Sequence, residues 1–165
     1  MDLITALALS IGLLGGIATY LFLGFGMGLQ IWAAFIGWAA YYHCGGQTKG
    51  LQDSIAGAIW GAAMAAAAFA LMNVLGLPGP LGAAVAVAIT VFILVMGAKI
   101  PLLSSIPAAV YGYASTVALT LGAAALLKDA PGILSMPAVN IAISMAIGAV
   151  FGYVSQQLAG ALSKG

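Results

Sequence analysis

Hydrophobic positions fall into six long stretches along this chain, separated by charged residues and by clusters of glycine and proline. The first runs from about Leu3 to Leu23, and a glycine-rich elbow, Gly24-Phe-Gly-Met-Gly28, leads into the second, about Leu29 to Cys44. That second stretch is short for a helix crossing a bilayer, which takes about 20 apolar residues. Gly45 to Asp53 is the most polar loop. The third stretch, Ser54 to Leu75, is mostly Ala, Gly, Met and aromatics and ends at Gly76-Leu-Pro-Gly-Pro80, where proline stops a helix. Leu81 to Ala98 forms the fourth. Lys99 to Pro107, bracketed by prolines and bearing two serines, is expected to be a re-entrant or broken segment. The fifth, Ala108 to Leu127, ends at Lys128-Asp129, and a loop over Ala130 to Pro137 precedes the sixth, Ala138 to about Leu162.

Composition turns these stretches into membrane helices. The chain is 64% hydrophobic and 4% charged, whereas soluble domains carry about 25% charged residues. An all-α membrane protein with six transmembrane helices is therefore expected, as a single transmembrane domain over residues 1–165. Four Lys against three Asp, with no Arg or Glu, give a charge of +1, and nucleic acid is not an expected partner because it calls for clustered cations. Cys44 is the lone cysteine, so no intramolecular disulfide forms. The N-terminal MDLITALALS has no basic region before its apolar run, so the first helix is expected to be retained. Six crossings put Lys49, Lys99 and Lys164 on the side of the N-terminus and Lys128 opposite, which by the positive-inside rule predicts cytoplasmic termini.

The chain also looks duplicated. Aligned without a gap, Trp32–Tyr41 and Pro107–Thr116 share Ala33/Ala108, Ala34/Ala109, Gly37/Gly112 and Ala39/Ala114, with Trp38 answered by Tyr113. Each half, about 1–76 and 77–165, holds three spans, and a unit with an odd number of crossings must insert its second copy upside down. The expected architecture is a 3+3 inverted repeat with broken or re-entrant segments. In the third and sixth spans, Ser54-Ile-Ala answers Asn140-Ile-Ala, and Gly57/Gly61 answers Gly148/Gly152 with a few residues inserted. The competing reading is likeness by Ala/Gly/aromatic composition alone.

Glycine is 23 of the 165 residues and recurs at four-residue spacing, as in Gly12/Gly16, Gly57/Gly61 and Gly148/Gly152. Small residues let membrane helices approach closely. These pairs are expected to pack helices within a protomer or between protomers, and a homo-oligomer is expected from the faces left over.

Enzyme motifs are absent, and no cofactor is expected. The adjacent side chains of His43 and Cys44 diverge on a helix and cannot share a metal unaided. His43 reads as an interfacial residue or as a polar group at a pore mouth. No ionisable residue falls near mid-membrane, where ion-coupled carriers hold one, so coupled transport is disfavoured. Trp32, Phe35, Trp38, Tyr41 and Tyr42 make an aromatic face on the second span, and Tyr111 and Tyr113 take the related place on the fifth. Such a face is either an interfacial belt or the lining of a constriction that passes a small neutral molecule and refuses hydrated ions. On the second reading the lining residues are Trp38, Tyr41, His43, Tyr111, Tyr113 and Ser115. The expected function is passive passage of an uncharged polar solute of urea or ammonia size. The alternatives are a non-transporting partner that assembles through its glycine faces and a coupled small-solute transporter.

Phe35-Ile-Gly-Trp-Ala39 with Gly45-Gly46 behind it, and Ser105-Ile-Pro-Ala-Ala-Val-Tyr-Gly-Tyr-Ala-Ser115, resemble the small bacterial inner-membrane proteins grouped as domain of unknown function 1097. The likeness covers nearly the whole chain. It implies a bacterial inner-membrane location and assigns no functional residue.

Overall fold

A computed structural model describes residues 1–26 and 28–163. Among them are six helices: α1 (Leu3–Gly24), α2 (Ile31–His43), α3 (Gln47–Leu75), α4 (Pro80–Met96), α5 (Ile106–Gly122) and α6 (Pro137–Ser163). Short 3-10 turns at 97–99, 101–103, 124–127 and 132–135 fill the connections, and the described residues contain no strand. Four helices are long and apolar enough to cross a membrane: α1, α3, α6, and α4 with its 3-10 continuation to Lys99. The protein is an all-α membrane protein. Lys164, used above for topology, lies outside the described residues.

Helix ends follow local chemistry. Asp2 caps α1, accepting from the backbone N–H of Thr5 at 3.0 Å and from its hydroxyl at 2.6 Å. Ser105 caps α5 through the N–H of Ala108, with Pro107 in the first turn. Two expected boundaries move. The stretch expected as a loop over Gly45–Asp53 is mostly the start of α3, which begins at Gln47. The reversal is made by Gly45, Gly46 and Gln47, at φ 84°, 69° and 58°, after which Lys49 and Asp53 pair at 2.6 Å along the first turns. The fifth span stops at Gly122 rather than Leu127 and continues as a 3-10 turn.

Contacts give the helix directions. Gln30, Trp38 and Tyr41 meet Ser144, Ser155 and Gln156 in turn, so α2 and α6 run parallel. Ala108 lies on Gly57, while Tyr113 packs with Ala65 and Ala68, so α5 and α3 run parallel. The start of α1 meets the end of α6, and Trp60 donates to the carbonyl of Leu94, which sets α4 antiparallel to α3. The chain thus pairs α2 with α6 and α5 with α3, and flanks those pairs with α1 on α6 and α4 on α3.

Both parallel pairs close through glycine. A Cβ on Gly148 would strike the carbonyl of Ala34, and one on Gly61 the carbonyl of Ala109. Likewise Gly37 lies on Met145 and Gly112 on Ala58. Because Ala34 matches Ala109 in sequence, these contacts equate Gly148 with Gly61. The register expected from sequence, which paired Gly61 with Gly152, is off by one helical turn. Gly57, Gly61, Gly148 and Gly152 all pack within the protomer, whereas Gly12 and Gly16 have nothing within 4 Å.

Candidate functional site

The two parallel pairs, α2 with α6 and α5 with α3, meet along a seam between α2 and α5. At one end His43 Nδ1 lies 2.9 Å from the Tyr111 hydroxyl, and Cys44 Sγ lies 3.1 Å from Ser105 Oγ. The middle is apolar: Ala33, Ala58, Leu119, Ile141 and Met145 are buried together, with Ile36, Trp32 and Tyr111 packed against them. At the far end the indole N–H of Trp32 donates to Gln30 Oε1 at 3.2 Å.

Gln30 belongs to a polar knot that holds the break between α1 and α2. Its backbone N–H donates to Ser144 Oγ at 3.0 Å, and its side-chain amide donates to the carbonyl of Gly28 at 2.8 Å. Asn140, with no exposed surface, donates to the carbonyls of Gly28 and Leu134 at 2.8 and 2.9 Å. Non-helical backbone survives in a membrane only where such groups are paired. Side chains take that role here. Among the described residues no buried side-chain nitrogen or oxygen lacks a partner.

The six residues expected to line one path fall into separate environments. His43 and Tyr111 do meet across the seam. Trp38, 4% exposed, is stacked between Phe35 and Phe151, and its indole N–H donates to Ser155 Oγ at 3.1 Å. Tyr41 is fully buried, and its hydroxyl meets Gln156 Oε1. Both therefore face α6. Tyr113 turns instead to α3 and α4, with its hydroxyl 3.0 Å from Thr90 Oγ1, and Ser115 is buried on α5. Spacing revealed the aromatic stripe but not its three directions, because a period near three spreads side chains over more than one neighbour.

Gln30, Asn140, Ser144, Gln156 and Gln157 were not assigned a site from sequence. Their signal was their cost: an amide inside an apolar run is expensive unless paired. Gln156 and Gln157 line an open cleft of about 510 Å³ with Leu3, Leu7, Tyr42, Gln47, Ala159 and Gly160. A smaller cleft of about 110 Å³ lies between α3, α4 and α5, lined by apolar residues and Tyr113.

Charge is confined to the ends. Lys49 and Asp53 pair beside the α2–α3 turn. Hydrogen bonds from the Thr5 hydroxyl and then the Thr5 backbone hold the Asp2 carboxyl below its ordinary value. Among the described residues no three His, Cys, Asp or Glu side chains gather to hold a metal ion.

No curated protein and no solved structure matches the chain. A family described as a protein of unknown function, DUF1097, matches residues 8–160, and the chain belongs to that family.

Proposed function

We propose that the protein is a passive facilitator for a small uncharged polar solute, of urea or ammonia size, in a bacterial inner membrane with both termini cytoplasmic. The observation that carries this reading is the seam itself: a polar pair at His43 and Tyr111, an apolar cluster with Ile36, Leu119, Ile141 and Met145, and a polar pair at Gln30 and Trp32, which we read as mouth, constriction and mouth. A hydrophobic constriction between hydrogen-bonding mouths gates by dewetting and holds nothing that repays an ion's lost hydration. The conformation described is the closed one. Two halves of three helices, inserted in opposite senses, are our reading of the matched packing, in which α2 lies on α6 as α5 lies on α3. The open face at Gly12 and Gly16 would take a second copy of the chain.

The test is solute-driven swelling of liposomes containing the purified protein, with water, glycerol, urea, ammonia and formate compared. Urea or ammonia should enter faster than through empty liposomes, and Leu119→Ala should raise the rate further by widening the constriction. No acceleration with any of the five, in wild type and variant alike, would overturn the proposal.

A second reading has its own observation. Every buried polar side-chain atom among the described residues is already paired inside the protein, as suits a structural membrane partner with a dry interior. A second protein recovered in fixed stoichiometry, with no solute flux, would favour it.

A further inference from the structure

The cleft between α1 and α6 differs from its counterpart between α4 and α3 in a way that packing alone does not require. Buried Ala6 and Ser10 on α1 match buried Ala86 and Thr90 on α4, and Gly148 matches Gly61, so the two clefts occupy equivalent places. Where one has Tyr42 and Gln156, the other has Val117 and Phe69. The apolar version measures about 110 Å³, whereas the polar one measures about 510 Å³. That volume is within the roughly 300–1,000 Å³ of ligand sites.

Hydrogen-bond bookkeeping shows what the polar cleft can offer. Ser155 gives its one proton to the carbonyl of Gly152 at 2.7 Å and accepts from Trp38 at 3.1 Å. The Tyr42 hydroxyl, 2.7 Å from Ser155 Oγ, is therefore the donor there and keeps its own acceptor capacity for the cleft. Gln156 Oε1 accepts from Tyr41 and from the N–H of Gln47 at 3.0 Å, which leaves its NH₂ as donor. The Gln157 amide offers both. Among the described residues no charged side chain lines the cleft, and the N-terminal ammonium beside it is engaged by the carbonyl of Leu162 at 3.4 Å, so the wall itself holds no counter-charge for an ionic group leaving water. Neutral groups that both give and take hydrogen bonds fit, as hydroxyls do. Leu3 and Leu7 on α1 add an apolar wall beside them.

We infer that this cleft binds the uncharged, hydroxylated headgroup of a membrane lipid, a sugar or glycerol group, with the lipid's chain lying along α1. The inference does not depend on solute passage through the seam.

The test is native mass spectrometry of the full-length protein released from phosphatidylcholine nanodiscs doped with a monogalactosyl diacylglycerol. The galactolipid should be retained in preference to phosphatidylcholine. Gln157→Leu, at an exposed position where the fold is not at stake, should reduce retention about fivefold, the worth of one neutral hydrogen bond. Val117→Ala in the counterpart cleft should leave retention unchanged. Displacement by free galactose would assign the site to the sugar alone, and persistence in its presence to the whole lipid. Equal retention of the two lipids, or Gln157→Leu binding as well as wild type, would overturn the inference.

Discussion

The two ends of this molecule are built on one frame and finished with different chemistry. In one parallel pair α6 carries Ser155, Gln156 and Gln157 toward Trp38, Tyr41, Tyr42 and Gln47. At the equivalent place in the other pair, α3 presents Ala68 and Phe69 to Tyr113 and Val117. What they share is backbone contact, Ala34 on Gly148 and Ala109 on Gly61. What differs is everything a ligand would touch. Close backbone packing leaves no room for a side chain at Gly61 or Gly148, whereas the positions beyond the crossing points differ in chemistry between the two pairs.

The largest expected effect tests the shared part. Gly61→Val and Gly148→Val each force a side chain onto a carbonyl that cannot swing away, so each should cost more than the roughly 1–3 kcal/mol of an overpacked core. Thermal unfolding in detergent should show both failing alike, while Gly122→Val, with open space around it, unfolds as wild type does. Unequal losses at 61 and 148 would break the equivalence of the halves.

The divergent part gives a smaller difference. Gln156→Leu strands the buried Tyr41 hydroxyl, at about 1–3 kcal/mol for a group left unpaired, and leaves the exposed Gln47 N–H to water. Phe69→Leu in the counterpart cleft trims only apolar contact and should lower the melting temperature less. Equal falls would mean that the polar cleft has no special hydrogen-bond role.

The smallest effect lies at the helix starts. Asp2 caps α1 with its side chain, whereas α4 starts on Gly79-Pro80 without a side-chain cap. Because the folded-state value of Asp2 is depressed, its contribution is present at neutral pH and fades as pH falls through and below the ordinary range of an aspartate. Asp2→Asn should flatten that part of the acid stability profile slightly. An unchanged profile would show that the cap carries no measurable share.

Much of this was legible in the residues. Long apolar runs and the scarcity of charge determined a helical membrane protein, because a backbone in hydrocarbon must bond to itself. Gly and Pro clusters placed the helix ends to within a few residues in most cases, and Ala34, Gly37, Ala109 and Gly112, matched in sequence, all lie at close helix contacts. Failures came where a local signal had two outcomes. Gln47 to Asp53 is polar enough for a loop yet lies in a helix that Lys49 and Asp53 help to start. The tertiary structure alone decided which glycines meet backbone and which face open space, where Trp38 and Tyr113 turn, and that Asn140 reaches back to Gly28. Those outcomes depend on how helices cross, and crossing is set by the sum of many close contacts between segments far apart in the chain.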